Sequence, residues 1–178
     1  SLILLLGYLG MPNWLAYTFS SKGHVTYPAP AIALQRSDGS VFNLNEQKGK
    51  ILVLDFWNTG CGICYKKFPD FDHLKQKYAS TPNIEFYAVN LLHRNEELNK
   101  VKRTTQAFPY TFENLHTDSL SSIQIKKQLN IDLVPTIVII NKDAEVVYKG
   151  NLNVEHYIFY DNINQKIMQE LSMSHGNN

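Results

Sequence analysis

The feature that most constrains this chain is an apolar run that ends in a short turn and is followed at once by two cysteines. Ile51–Trp57 is almost continuously apolar and rich in β-branched residues, which is typical of a strand covered on both faces. Residues 58–60 then form a turn. Beyond the cysteines, apolar side chains recur at spacings of three and four, namely Phe68, Phe71, Leu74 and Tyr78. This spacing predicts one buried helix face, so the cysteines lie where a central strand gives way to a helix.

Cys61 and Cys64 are the only cysteines of the chain, and their position predicts thiol–disulfide chemistry. A cysteine in the first turn of a helix meets unpaired backbone N–H groups and the positive end of the helix dipole, which favour the thiolate over the thiol. The thiolate is the species that attacks a disulfide. Cys64 lies one helical turn further on and can reach back to Cys61. We therefore expect Cys61 to attack a substrate disulfide and Cys64 to resolve the mixed disulfide.

A zinc site is the main alternative for this pair, because C-x-x-C also supplies zinc ligands. Zinc needs four ligands, or three and a water molecule. The chain has no further cysteine, and its six histidines lack the short paired spacing of a zinc finger: His24, His73, His93, His116, His156 and His175. Neither cysteine lies in the Pro-x-x-x-Thr/Ser-x-x-Cys pattern of a peroxidase. We therefore expect no metal and no bound cofactor, and a Cys61–Cys64 disulfide as the redox-active group.

Asp55 places a carboxyl group inside the apolar strand. An unpaired carboxylate in such surroundings is costly, so the group either finds a partner or keeps its proton through a raised pKa. A carboxyl with a raised pKa, lying beneath the helix start, can accept the proton that Cys64 loses before its attack. The alternative is an aspartate that faces the strand edge and accepts hydrogen bonds from backbone amides.

The first residues of the chain are apolar, and their role stays open. Residues 2–19 carry no charged side chain and are just long enough to span a membrane. They are interrupted by Gly7, Gly10, Pro12 and Asn13. The remnant of an export signal or membrane anchor and an apolar helix docked on the domain both fit this pattern. The composition at 20–30 is typical of a linker, so we predict an N-terminal segment at 1–26, one domain at 27–173 and a tail at 174–178.

The rest of the domain alternates predicted strands with predicted helices. The expected elements are a hairpin of residues 31–34 and 40–44, strands at 84–90 and 110–115, helices at 95–105 and 121–129, a strand pair at 136–140 and 145–148, and a helix from 154 to 173. The dipeptide Asp38-Gly39 marks the hairpin turn. The net charge of +1, from 17 basic and 16 acidic residues, lacks the basic excess that nucleic-acid binding requires.

Three motifs together resemble the thioredoxin superfamily. They are the segment Asp-Phe-Trp-Asn-Thr-Gly-Cys-Gly-Ile-Cys at 55–64, Pro69 inside the following helix, and Val-Pro-Thr at 134–136 before a predicted strand. The proline at 135, taken alone, fits either a cis bond or a trans turn. The resemblance covers residues 30–172.

Two further features resemble the exported, membrane-anchored branch of TlpA/ResA-like disulfide reductases. One is the hairpin that opens with Ala29-Pro30, and the other is an extra helix and strand between residues 90 and 119. The implied fold class is α/β, a thioredoxin-like three-layer fold. It has a central mixed sheet with helices on both faces, an N-terminal β-hairpin extension and an inserted helix–strand segment.

The resemblance also implies roles for individual residues. It implies that Asp55 is the buried proton acceptor, and that a cis peptide bond before Pro135 lies against the cysteines. Backbone groups beside that bond are then offered to an extended substrate segment. The implied substrate-binding residues are Trp57, Gly62, Ile63, Val134 and Pro135.

The function that this resemblance implies is the reduction of disulfides in exported client proteins. Such clients include apocytochrome c and other oxidised exported proteins, and the electrons come from an upstream thiol donor such as a membrane thiol transporter. The expected location is the bacterial periplasm or the extracytoplasmic face of the membrane, with the N-terminal segment as a membrane tether. A non-catalytic binding module and a disulfide oxidase or isomerase are the alternatives.

This chain departs from the family pattern at three positions. Gly60 replaces the tryptophan that commonly precedes the first cysteine, and Ile63 replaces the proline that commonly precedes the second. The reduction potential of relatives therefore does not transfer to this chain. Where the cytochrome-maturation reductases carry an acidic residue after the second core strand, this chain has His93. His93 either tunes the cysteine pair or is a surface histidine in a loop.

Overall fold

The computed structural model describes residues 24–93, 96–151 and 156–173, which form one sheet covered by helices. The strands are β1 His24–Pro28, β2 Ala33–Arg36, β3 Val41–Asn43, β4 Ile51–Trp57, β5 Ile84–Asn90, β6 Glu113–His116, β7 Thr136–Ile140 and β8 Glu145–Asn151. The α-helices are α1 Gly62–Lys77, α2 Leu98–Gln106, α3 Ser119–Gln128 and α4 His156–Met173, and a 3-10 turn at Leu44–Glu46 follows β3. The strand order is β1-β8-β7-β4-β5-β6-β2-β3.

Strand β4 lies at the centre of this sheet, as its apolar sequence predicts. It pairs in parallel with β5 and antiparallel with β7, and all seven of its residues are buried. Strands β7 and β8 pair antiparallel as expected. The sheet is therefore mixed, and the prediction of a strand covered on both faces is confirmed.

Two hydrophobic clusters, one on each face of the sheet, form the core. Because side chains alternate along a strand, β4 sends Leu52, Leu54 and Phe56 to one face and Ile51, Val53 and Trp57 to the other. The first face packs against α3 through Ile125 and against Leu129. The second packs against α1 and α4 through Phe68, Phe71, Phe159 and Ile163. Each large apolar side chain buried in this way contributes about 1.5–3 kcal/mol. The predicted three-layer α/β fold is confirmed.

The predicted hairpin forms and is attached to the far side of the sheet. β2 pairs antiparallel with β3 and, on its other edge, with β6. Gly39 in the connecting turn has a φ of +89°, a conformation that glycine adopts without a steric penalty. The inserted segment between β5 and α3 contributes α2 and β6, which is the strand that holds the hairpin.

The structure differs from the sequence prediction at the N-terminal edge of the sheet. His24–Pro28, which lies in the stretch with linker composition, forms β1 and pairs antiparallel with β8. An edge strand is held by one neighbour only, so the partner decides its conformation more than its own composition does. The domain boundary at residue 27 stays a prediction. The segment 1–23 and the tail 174–178 lie outside the described residues.

Several element ends also shift by a few residues. Helix α3 begins at Ser119 instead of residue 121, because the Asp118 carboxylate caps it by accepting a hydrogen bond of 2.7 Å from the backbone N–H of Ser121. Strand β6 begins at Glu113 instead of residue 110. The chain just before it is held by aromatic contacts instead, since Tyr110 and Phe112 stack with their ring centroids 5.1 Å apart. In the part of the chain that the structure describes, no helix is long and apolar enough to cross a membrane.

Candidate active site

The two cysteines lie at the junction between β4 and α1, as predicted. They form a disulfide with their Cα atoms 5.3 Å apart. Cys61 occupies the N-cap position of α1, and its Sγ accepts a hydrogen bond of 3.2 Å from the backbone N–H of Cys64. This sulfur therefore lies at the positive end of the helix dipole, where a negative charge is stabilised.

The two sulfurs differ in their access to solvent. Cys64 is completely buried, whereas Cys61 is partly exposed and its neighbour Gly62 is exposed. Ile63, between the two cysteines, keeps 48% of its surface exposed although it is apolar. A disulfide in another protein can therefore approach Cys61 but not Cys64.

The segment before β7 brings a second part of the chain to the cysteines. The Cys61 Sγ lies 3.7 Å from the carbonyl oxygen of Val134, and the peptide bond between Val134 and Pro135 is cis. Val134 is partly exposed and Pro135 is buried. Leu133, just before them, is 59% exposed. The expected substrate-contacting residues Gly62, Ile63 and Val134 thus surround Cys61.

Asp55 is buried in the centre of the sheet without a hydrogen-bond partner. Its neighbours in register are Ile137 on β7 and Ala88 on β5, and only 1% of its surface is exposed. Neither carboxylate oxygen has a partner among the described residues. Burial raises the pKa of Asp55 to about 8, because an apolar environment disfavours the charged form. The alternative of an edge aspartate satisfied by backbone amides does not agree with this position.

Trp57 does not lie where the resemblance implies. The resemblance implies that Trp57 contacts substrate, but its side chain is completely buried. Its ring packs edge to face against Tyr65 and Phe68, with centroids 5.6 and 5.2 Å away. This position at the end of β4 faces α1 and not the solvent. Trp57 therefore supports the cysteine helix from below and does not touch a client in this conformation.

Tyr160 is a residue near Asp55 to which the sequence gave no chemical role. Its hydroxyl lies on α4 and donates a hydrogen bond of 3.4 Å to the Lys67 carbonyl on α1. Burial raises the pKa of Tyr160, and the charges of Asp55 and Asp70 raise it further. The helical periodicity of α4 predicted a buried side for Tyr160, and no local signal connects it to a strand that lies a hundred residues earlier.

His93 lies beside the turn that leads into the cysteines. Its ring is exposed, and a Cβ atom added to Gly60 would lie 3.6 Å from its Cδ2. Its backbone N–H donates a hydrogen bond of 2.8 Å to the Glu96 carboxylate. Among the residues that the structure describes, no group of three or more His, Cys, Asp or Glu side chains is arranged to hold a metal ion.

Known proteins are similar to this domain in sequence and in fold. The Redoxin family model matches residues 24–167. The thioredoxin-like protein YneN of Bacillus subtilis is 28% identical over 149 residues, which is 82% of this chain and 82% of that protein. The thiol-disulfide oxidoreductase ResA of Bacillus subtilis is 30% identical over 120 residues, or 67% of this chain and 63% of ResA.

A solved structure gives the same fold. The thioredoxin-like protein from Porphyromonas gingivalis has a TM-score of 0.66 at 20% identity, and the match covers 84% of this chain and 95% of that one. Together with a buried and an accessible cysteine in one disulfide, these matches establish what kind of protein this is. The chain belongs to the Redoxin family and is a thiol–disulfide oxidoreductase of the ResA/TlpA-like group within the thioredoxin superfamily.

Proposed function

We propose that this oxidoreductase reduces disulfide bonds in exported client proteins, in the periplasm or at the extracytoplasmic face of the membrane. The relatives named ResA are thiol-disulfide oxidoreductases, which favours an enzyme over a non-catalytic binding module. The resemblance to the exported branch, together with the uncharged residues 2–19, supports the location. The order of the exchange steps rests on the difference in solvent access between the partly exposed Cys61 and the buried Cys64.

The exchange proceeds in two steps that conserve electrons. The Cys61 thiolate attacks one sulfur of the client disulfide, a mixed disulfide forms, and the other client sulfur leaves as a thiolate. The Cys64 thiolate then attacks the Cys61 sulfur, the Cys61–Cys64 disulfide forms, and the second client sulfur leaves as a thiolate. Two electrons have passed to the client, and solvent protonates its thiolates. The buried position of Cys64 suits it for the second step alone.

Asp55 supplies the proton acceptor for the second step. Cys64 is buried and must lose a proton before it can attack, and its own surroundings disfavour the charged thiolate. The Asp55 carboxylate lies on the strand beneath the cysteine helix, and its raised pKa of about 8 brings it close to that of a thiol. A general base matched in this way takes a proton efficiently near neutral pH.

The client binds as an extended segment beside Cys61. Ile63, next to the cysteines in the chain, and Leu133, next to Val134, present exposed apolar surface, and the Val134 carbonyl oxygen lies 3.7 Å from the Cys61 sulfur. A backbone carbonyl in this position can accept a hydrogen bond from the client backbone, while the apolar side chains exclude water. Burial leaves Trp57 outside this surface.

The redox-active disulfide is the only cofactor that we propose, so electrons must come from outside. A dithiol donor, such as a membrane thiol transporter, returns the oxidised enzyme to the dithiol form through the same exchange in reverse. The donor forms its own disulfide, and Cys64 leaves as a thiolate that takes up a proton. The N-terminal segment would keep the enzyme near such a donor.

Trapping of the mixed disulfide tests the order of the two steps. Replacing Cys64 with serine removes the second nucleophile, so client proteins should stay linked covalently to Cys61 until a reductant releases them. The matched Cys61→Ser variant should trap none, because Cys64 is out of reach. Adducts on Cys64 alone, or no adducts while the wild type turns over, would contradict the assignment.

The reduction potential of the pair decides the direction of electron flow. A value below about −220 mV would agree with a reductase, and a value near −120 mV would favour a disulfide oxidase. The measurement equilibrates the protein with glutathione or dithiothreitol buffers and determines the fraction of free thiols. Insulin reduction by dithiothreitol, with and without the protein, checks turnover, and unchanged precipitation would favour the binding module.

A further inference from the structure

The buried polar atoms without a hydrogen-bond partner are concentrated in one place. Among the described residues, all but one of these atoms belong to five side chains on three neighbouring strands: Asp55, Trp57, Asn90, Asn114 and His116. The exception is on Glu170, which forms an ion pair with Lys166 at 2.7 Å. We call Asp55, Asn90, Asn114 and His116 the polar strip.

The strand register places the polar strip on one face of the sheet. Asp55 pairs with Ala88, which pairs with Asn114, and these form one row. In the next row, Trp57 pairs with Asn90, which pairs with His116. Paired residues, and residues two apart along a strand, point to the same face. This is the face that α1 and α4 cover, so the strip begins at Asp55 and runs sideways beneath the helices.

The strip contains buried polar groups of the kind that ordered water satisfies. Strands lie about 4.8 Å apart and rise about 3.3 Å per residue, so the Cα atoms of Asp55 and Asn90 are separated by about 8 Å. Ala88, the residue directly beside Asp55, has the smallest side chain of its row. Asn90 is completely buried, and both its amide oxygen and its amide nitrogen lack partners. Groups of this kind are normally satisfied by ordered water.

The far end of the strip lies under α2. His116 is completely buried, and its Nε2 lies 3.5 Å from the Thr105 hydroxyl on α2. Burial, together with the smaller effect of the Lys102 charge, lowers the pKa of His116 to about 4. A neutral imidazole has one donor and one acceptor nitrogen, so it can pass a proton along a hydrogen-bonded chain without holding a charge.

We propose that Asn90 and His116 are positioning residues that hold ordered water beside Asp55, and that this water exchanges the proton of Asp55 with solvent. The proposal deepens the proposed function, because the carboxyl must lose its proton to water before it can accept the proton of Cys64. The Asp55 carboxylic acid gives its proton to the adjacent water, and a proton passes along the water and polar groups of the strip to bulk water beyond α2. The carboxylate is then ready for Cys64, and no electron moves.

The other ionisable groups around Asp55 do not offer this path. Cys64 on α1 is its reaction partner, and Cys61 precedes that helix as its N-cap. Tyr160 on α4 keeps its proton, since burial and the Asp55 charge raise its pKa. Lys102 on α2 acts on His116 and not directly on Asp55. The strip therefore provides the polar connection from Asp55 toward α2.

The test measures the pKa of Asp55 in the oxidised full-length protein, where the cysteines do not titrate. Carbon-13 NMR follows the carboxyl signal from pH 5 to 10 in the wild type and in Asn90→Leu. Leucine has a similar volume but binds no water, so the pKa of Asp55 should rise by about one pH unit, a tenfold change in its ionisation constant. Asn90→Ser, which retains a hydroxyl and space for water, should restore a value close to the wild type.

A second variant and a control keep the result interpretable. His116→Leu removes the far end of the strip and should shift the pKa of Asp55 in the same direction by a smaller amount, and it serves alone if Asn90→Leu does not fold. Ser122→Ala removes a buried hydroxyl of α3 outside the strip and should shift nothing. An unchanged Asp55 pKa in folded Asn90→Leu or His116→Leu would overturn the proposal. This titration needs no client protein, so its result does not depend on whether the protein reduces client disulfides.

Discussion

Asp55 and Asp72 are both buried aspartates, and their carboxyl groups behave in opposite ways. Asp55 lies on β4 with 1% of its surface exposed, and Asp72 lies on α1 with 7% exposed. The Asp72 carboxylate accepts hydrogen bonds from the backbone N–H and the hydroxyl of Thr111, at 2.6 and 2.8 Å, and from the Gln76 amide at 2.7 Å. The Asp55 carboxylate accepts none within the described chain.

This difference in partners reverses the effect of burial on the pKa. Burial raises the pKa of both groups, but the hydrogen bonds from Thr111 and Gln76 outweigh it and leave the pKa of Asp72 below its usual value. Asp55 lacks such bonds, and its pKa rises to about 8. Asp72 is therefore an anion that fastens α1 to the chain before β6. Asp55 is a carboxyl group that keeps its proton at neutral pH. Burying it without partners lowers the stability of the folded state, as is typical of groups kept for chemistry.

The largest expected effect is on the pH dependence of stability. The folded pKa of Asp55 lies above its unfolded value, so the folded state holds the proton more tightly, and stability falls as pH rises from about 4 to about 8 and levels off above that. Between pH 5 and pH 9 the wild type should lose on the order of 4 kcal/mol relative to Asp55→Asn, which does not titrate. Urea denaturation of the oxidised proteins across this range measures the difference.

The matched Asp72→Asn variant is the control for this slope. The pKa of Asp72 is lowered, so both this variant and the wild type carry the same Asp55 titration above pH 5. Their stability curves should therefore run parallel there. Parallel stability curves for the wild type and Asp55→Asn would instead mean that Asp55 is already ionised across this pH range. The pKa of Asp55 would then not be raised, and it would not differ from Asp72 in this respect.

The second effect is kinetic and should separate the two aspartates again. Asp55→Asn should slow the attack of Cys64 on the mixed disulfide about 100-fold at pH 7, because it removes the general base. In the wild type the rate should rise with pH and level off above about 8, whereas in the variant the rise should shift to higher pH, where Cys64 ionises without a general base. Rapid quenching and mass spectrometry of the mixed disulfide give the rate. Asp72→Asn should match the wild type, and an equal slowing in both variants would point to a general loss of structure.

The contrast also explains what the sequence could and could not predict. Asp55 is conspicuous because it interrupts an apolar strand, and it lies close in sequence to the cysteines it serves. Asp72 lies among polar helix residues, and its partner Thr111 comes from another element. Nothing in the local pattern of α1 distinguishes a buried aspartate from an exposed one, since the helix periodicity reports only the apolar face.

The same reasoning applies to the fold and to the rest of the site. Periodicity predicts β4, α1 and the β7–β8 pair because burial repeats along each of them. It does not predict β1, whose composition is polar and whose conformation depends on β8. Only the resemblance places Trp57 on the substrate surface, whereas its position in the apolar run of β4 indicates a buried side chain. The conformation at these positions depends on contacts between segments that are distant in the sequence. The local sequence pattern does not report such contacts.

The third expected effect concerns the structural aspartate itself. Asp72→Asn removes the charge from three hydrogen bonds, and bonds to a charged group contribute about 1.5–3 kcal/mol. Since asparagine still accepts through one oxygen, we expect a loss of about 2 kcal/mol at pH 7. The wild-type advantage should shrink as pH falls below about 4 and vanish below the lowered folded pKa, because a lowered folded pKa stabilises fully only above the unfolded one. A constant difference down to pH 2 would show that charge is not the cause.

The smallest effect isolates a single hydrogen bond of the Asp72 contact. Thr111→Val removes the hydroxyl that donates to the carboxylate at 2.8 Å but keeps the backbone N–H that donates at 2.6 Å. We expect a loss of about 1 kcal/mol in the free energy of unfolding, and Thr111→Ser should recover most of it. The same substitution in the Asp72→Asn background should cost less, because a neutral acceptor gains less from the hydroxyl. An equal loss in both backgrounds would mean that Thr111 contributes through packing, and that the lowered pKa of Asp72 rests on the backbone N–H and Gln76.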